Sequence, residues 1–107
     1  MGVVYCVVIY KKYEDRDFED IQVMAKYLSE NTEKAVIIYS LLDMKLIFSY
    51  SGVEDLNCGK IFKQNISNFS GKGGGSNKQA QGSFPDTTKL EAFAQLILKL
   101  SIEILNK

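Results

Sequence analysis

The pattern of apolar and polar positions along the chain predicts three strands and three helices, with a short additional strand before the last helix. Residues 3–10 are continuously apolar, aromatic or β-branched, which predicts a strand that is covered on both faces and central in its sheet. Residues 35–42 and 45–50 predict two further strands. The connection between them, around Asp43 and Met44, is so short that it favours a hairpin.

Apolar residues at helical spacing predict the three helices. Asp17 stands where an N-cap belongs, and Asn31 is a plausible end for that first helix. The second helix covers residues 57–69, and the third begins at Thr87 or Thr88, where residues 88–91 read as a capping box. The order β-α-β-β-α-(β)-α predicts the α/β class, with a mixed sheet of three to four strands and helices packed against it.

A glycine-rich, polar run at residues 71–82 interrupts this regular pattern. Glycines let another molecule approach the backbone amides closely, and the amide and hydroxyl side chains beside them are suited to contact RNA. With the lysines of the preceding helix, the candidate RNA-binding residues are Lys60, Lys63, Gly71, Lys72, Gly73, Gly74, Gly75, Ser76, Asn77, Lys78, Gln79 and Gln81. The alternative is a flexible connection from the second helix to an edge strand at residues 76–83.

Charge supports a local binding surface more than a generally basic protein. The 107 residues, 46% of them hydrophobic, suffice for one domain with one core, and 13 basic residues balance 13 acidic ones. Residues 60–79 nevertheless contain four lysines and no acid, whereas residues 14–20 contain five acids and one base. One end of the molecule should therefore be positive.

Several function classes lack their residues. The chain has no histidine, so a general base of the usual kind and a zinc site are both missing, and we expect no catalytic residue, no metal and no cofactor. The glycine run fits neither the P-loop nor the dinucleotide fingerprint. Cys6 and Cys58 are expected as buried thiols in a reducing cytoplasm, and no apolar run approaches a membrane span. The aromatic residues that are expected to face the core are Phe18, Tyr27, Phe62, Phe69 and Phe93.

Residues 71–75, the later Ala80-Gln81-Gly82 and the amphipathic helix after them resemble the DHHA1-type C-terminal domain of alanyl-tRNA synthetases. The resemblance extends over residues 3–105, with residues 34–50 similar to the family's hairpin and residues 57–61 to its next helix start. Ser76, Asn77 and Lys78 depart from the Arg-Pro-Asp that the family has there.

The resemblance implies a non-catalytic domain that binds the outer elbow of alanine tRNA and is cut from a longer cytoplasmic protein. The remaining domains of that protein, an alanine-tRNA ligase or an alanyl-tRNA editing hydrolase, would carry out the reaction. Two alternatives stay open: the substrate-binding domain of a DHH-type phosphoesterase, and an assembly module that forms a homodimer through the last helix. That helix has an apolar stripe so wide that it is either unusually enclosed or offers apolar surface to a partner.

Overall fold

A computed structural model describes residues 2–4, 7–52 and 55–105 as one mixed sheet with helices on both faces. The helices are α1 (Phe18–Glu30), α2 (Cys58–Asn65) and α3 (Thr87–Leu105), and a single 3-10 turn (Ile66–Phe69) follows α2. The strands are β1 (Gly2–Val4), β2 (Val8–Tyr13), β3 (Ala35–Ser40), β4 (Lys45–Ser49), β5 (Lys72–Gly75) and β6 (Gln79–Ser83). The predicted α/β class is confirmed.

The sheet has the strand order β1-β2-β3-β4-β6-β5. Only β2 and β3 are parallel, and α1 makes the crossover that a parallel pair needs. The predicted hairpin of β3 and β4 is confirmed, with Ile38 opposite Ile47, and Met44 takes a positive φ of 55° in its turn.

The sheet contains more strands than the three to four expected, for two reasons. The apolar stretch predicted as one strand holds β1 and the start of β2, which pair antiparallel with Val3 opposite Tyr10. β2 is an interior strand, as predicted, and Cys6 lies outside the described residues. The glycine run supplies the other strand, β5, which carries no side-chain pattern that would announce it.

Helices cover both faces of the sheet, which separates the core into two layers. On one face α1 packs Phe18, Ile21 and Ala25 over Val36, Ile38 and Ile47. On the other face α2 and α3 cover a larger core in which Phe62 and Phe93 meet edge to face at 5.0 Å between ring centroids. Because side chains alternate across a strand, neighbouring residues of β3 and β4 feed the two layers in turn.

Helix ends follow side-chain caps that the sequence shows, with one correction. Asp17 caps α1 by accepting a hydrogen bond from the Asp20 amide at 3.0 Å, and Asn31 ends that helix, as predicted. The capping box predicted at Thr88 is wrong. Asp86 caps α3 instead, accepting from the Lys89 amide at 2.8 Å, because a carboxylate after Pro85 is well placed for that amide.

Two expectations about apolar side chains turn out differently. Tyr27 was expected in the core, but it is 66% exposed, because at about 100° per residue it lies on the side of α1 away from the buried Ile21 and Ala25. The large apolar residues of α3, by contrast, are buried or partly buried, including Leu98 at 7% exposure. The chain therefore covers much of this stripe and leaves part of it accessible, with partial exposure at Leu96, Leu100, Ile102, Ile104 and Leu105.

Candidate nucleic-acid interface

The glycine-rich run forms an antiparallel hairpin of β5 and β6 at one side of the sheet. Gly73 lies opposite Gly82, and Gly75 lies opposite Ala80. The expected edge strand at residues 76–83 is corrected by this geometry. β6 lies between β4 and β5, and the edge belongs to β5, because glycines pair through their main chains without needing side-chain contacts.

The three successive glycines of β5, Gly73, Gly74 and Gly75, differ in whether the structure has room for a side chain. At Gly73, where φ is +156°, a Cβ atom would come within 2.2 Å of the Gln81 carbonyl oxygen. At Gly75 it would come within 2.1 Å of the Gln79 carbonyl oxygen. At Gly74 it would meet no atom within 4 Å. Gly73 and Gly75 are therefore required by close strand approach, whereas Gly74 leaves an empty space above the sheet.

The turn of this hairpin is held by the start of α2. The Cys58 and Gly59 amides donate to the carbonyl oxygens of Asn77 and Ser76 at 2.9 and 2.8 Å. The Ser76 amide donates in turn to the Gln79 carbonyl at 2.7 Å. The N-terminal amides of α2, which often bind phosphate in other proteins, are thus used by the protein's own turn.

The lysines expected at the site fall into two groups. Lys78 lies in the turn of the hairpin. Lys60 lies near the start of α2, the helix whose amides hold that hairpin turn, and Lys63 is exposed one helical turn further along α2. Lys72 begins β5 at the other end of the hairpin, which at about 3.3 Å per residue places it roughly 10 Å along the strand from the turn. The structure therefore brings together the first three lysines and separates Lys72 from them.

The face of β6 and β5 on the α1 side is open, because α1 packs mainly over β3 and β4. We call this surface the open face, and the strand residues on it are Lys72, Gly74, Gln79, Gln81 and Ser83. All of them are exposed or partly exposed. Gln81 is joined to α1 by a hydrogen bond of 2.9 Å from Gln22 Nε2 to its Oε1 atom.

Lys45 joins the candidate site in the structure, and it was not among the residues predicted from the sequence. The register places Lys45 of β4 opposite Ser83 of β6, and Ser83 opposite Lys72 of β5, so the three form a row across the strands on one face. We call it the lysine row. The alternation of β4 gives a signal for it, since Lys45 shares a face with Ile47, but the position of β6 beside β4 is not readable from the sequence.

A groove of about 210 Å³ lies along this row, and its lining includes Phe18, Lys45, Lys72, Gln81 and Ser83. The Lys45 Nζ atom lies 5.4 Å from the centroid of the Phe18 ring, which holds the ammonium group at the groove. Within the described residues, the ion pair formed within 4 Å is Lys12 with Glu91, so neither lysine of the row is neutralised by a carboxylate.

The groove continues into a wider hollow of about 430 Å³ with an acidic end, where Asp17, Glu19 and Asp43 lie. Two of these carboxylates already accept hydrogen bonds from backbone amides, Asp17 from Asp20 and Asp43 from Phe18 at 2.7 Å. The surface is therefore polarised, with positive charge toward the hairpin and negative charge toward the start of α1.

The described residues offer few groups for nucleophilic catalysis or metal binding. Cys58 is buried, and burial raises the pKa of its thiol to about 12, so it is a poor nucleophile at neutral pH. No cluster of three or more metal-ligating side chains occurs among residues 7–52 and 55–105. Across the same residues no helix combines the length and apolar character needed to cross a bilayer.

Comparison with known proteins relates this arrangement to a family. The family model of the DHHA1 domain matches residues 2–102. The chain belongs to the DHHA1 domain family. No curated protein sequence matches it significantly.

A solved structure shows the same fold as this DHHA1 domain. It is the C-Ala domain from Aquifex aeolicus alanyl-tRNA synthetase, at 20% sequence identity and a TM-score of 0.66. The match covers 94% of this chain and 97% of that one. At this identity the likeness establishes the fold, and the predicted resemblance is confirmed.

Proposed function

We propose that this DHHA1 domain is a non-catalytic module that binds tRNA through the hairpin of β5 and β6. The observation that carries the proposal is the continuous acid-free region formed by α2, the 3-10 turn, β5 and β6. Residues 56–85 contain Lys60, Lys63, Lys72 and Lys78 and no carboxylate side chain. Since phosphates dominate nucleic-acid affinity, a surface of this charge fits an RNA backbone.

The likeness to the C-Ala domain of an alanyl-tRNA synthetase supports alanine tRNA as the partner. The domain would then assist aminoacylation or editing carried out by other domains of a longer cytoplasmic protein. Assembly through α3 is a weaker alternative, because the large apolar residues of that helix are already buried or partly buried in this chain.

The test is a titration of the 107-residue domain against transcribed alanine tRNA and an unrelated hairpin RNA. We expect tighter binding to the tRNA, and a loss of about tenfold or more in affinity when Lys72 and Lys78 are both changed to Ala. The matched control is Lys26→Ala with Lys99→Ala, which removes two exposed charges from α1 and α3. The proposal fails if the wild-type domain binds neither RNA.

Salt dependence gives a second reading of the same titration. With about four phosphates engaged, log Kd should change with log salt concentration with a slope of magnitude about 3 to 4. The Lys72 and Lys78 double variant should lower that magnitude by about 2. Binding that does not respond to salt would rule out phosphate contacts.

A further inference from the structure

We propose that the groove beside the lysine row holds one unpaired nucleotide of the bound RNA, so that this face of the hairpin reads unstacked bases. This inference rests on the proposed function and adds to it a site, a ligand class and a residue, Lys45, outside the glycine run.

The lysine row supplies the phosphate end of the site. Adjacent strands are about 4.8 Å apart, so the backbones of Lys45 and Lys72 are separated by about 10 Å, with Ser83 between them. Two long ammonium side chains and a hydroxyl at this spacing can converge on one phosphate group. Among the described residues neither lysine forms an ion pair within 4 Å, and Lys72 lies away from the acidic hollow, whereas Lys45 lines that hollow together with Asp17, Glu19 and Asp43.

The empty space above Gly74 lies beside the groove, next to its lining residue Gln81, and supplies the place for a base or ribose. Gly74 occupies the next row of the open face, beside Gln81, and a Cβ atom there would touch nothing. A flat peptide surface with no side chain lets a planar group lie against it. The Gln81 amide beside that space has both donors and an acceptor, which suits the exposed edge of an unpaired base.

The acidic end fixes the direction in which a strand can lie. Glu19 is exposed at the start of α1, and Asp17 and Asp43 lie beside it. These carboxylates repel phosphate, so the RNA backbone must leave the groove toward β5 and the hairpin turn. That direction leads to Lys78 in the hairpin turn, and beyond the turn Lys60 lies on α2 at the other face of the sheet.

The experiment compares alanine tRNA, which has unpaired loops, with a fully paired RNA duplex of equal length. The variants are Lys45→Gln, which removes one of the two positive charges of the row, and Gly74→Leu, which fills the empty space. Each should weaken tRNA binding by about tenfold and leave duplex binding within about twofold. Lys99→Gln on α3 is the control for loss of one exposed charge and should change neither affinity by more than about twofold.

Each outcome has a distinct meaning. If the wild-type domain binds tRNA and both groove variants bind it equally well, the groove inference is overturned and the proposed function stands. If the wild-type domain binds no RNA, both are overturned. If Gly74→Leu unfolds, as circular dichroism would show, Lys45→Gln and Gln81→Ala decide the matter by the same comparison of tRNA with duplex.

Discussion

Single glycines in this protein differ sharply in what they do, although they are adjacent in the chain. Gly73 and Gly75 permit β5 to lie against β6, where a Cβ atom would come within 2.2 and 2.1 Å of carbonyl oxygens. Gly74, between them, meets no such limit. A glycine-rich motif therefore combines positions that the fold requires with one that it does not.

Alanine substitution separates these roles. We expect Gly73→Ala and Gly75→Ala each to lower the free energy of unfolding by about 2 kcal/mol or more, since the backbone must shift to admit the methyl group. Gly74→Ala should change it by less than about 0.5 kcal/mol. Urea unfolding followed by circular dichroism measures all three, and equal losses at the three positions would contradict this account.

At the scale of elements, each helix begins at a polar side chain that the sequence displays, yet the sequence alone misplaced one of them. Thr88 followed by Glu91 has the composition of a capping box, but the Lys89 amide is bound by Asp86. The two candidate caps, Asp86 and Thr88, are two residues apart. The preceding Phe84-Pro85 segment decides which of them reaches the Lys89 amide.

Removal of each candidate cap distinguishes them. Asp86→Ala should lower the free energy of unfolding by about 1 kcal/mol, because it leaves the first amides of α3 without their acceptor. Thr88→Ala, made as a separate single variant, should change the free energy of unfolding by less than about 0.5 kcal/mol. Thermal or urea unfolding of the two variants is sufficient, and a larger loss for Thr88→Ala would restore the capping box.

Local patterns predicted most elements but not their neighbours. The hairpin of β3 and β4 and the start of α1 follow from residues close together in the chain, so they were predictable. The pairing of β6 with β4 joins Lys45 to Ser83 across 38 positions, and no local signal reports it. For this reason the glycine run and its lysines were found, while Lys45 and the open face required the three-dimensional arrangement.

At the scale of the whole molecule, the stability of the fold depends on a thiol and two phenol groups that stay protonated in the larger core layer. Burial raises the pKa of the Cys58 thiol to about 12. Burial also raises the pKa of the Tyr10 and Tyr39 phenols, whose hydroxyls share a hydrogen bond of 3.0 Å. Each of these groups loses its proton more readily in the unfolded chain than in the folded one.

The domain should therefore lose stability in alkali. Below about pH 8, where a free thiol is protonated, Cys58 makes its full contribution to the free energy of unfolding. That contribution falls as the pH rises toward the pKa of the thiol in the folded protein. The phenols add to the loss above about pH 10. Urea unfolding at a series of pH values measures this, and Cys58→Ala should flatten the decline between about pH 8 and 10. A stability that is constant over that interval in the wild type would refute the expectation.

The alternation of side chains along β5 and β6 has an evolutionary consequence. At positions 73 and 75 a Cβ atom would clash with the backbone of β6, and positions 80 and 82 are buried, whereas positions 72, 74, 79, 81 and 83 face the open side of the sheet. Mutations at the second set can alter the surface offered to a ligand without disturbing the fold, while mutations at the first set disturb the hairpin itself. The hairpin thus lets a lineage change its specificity one residue at a time on a scaffold that stays the same.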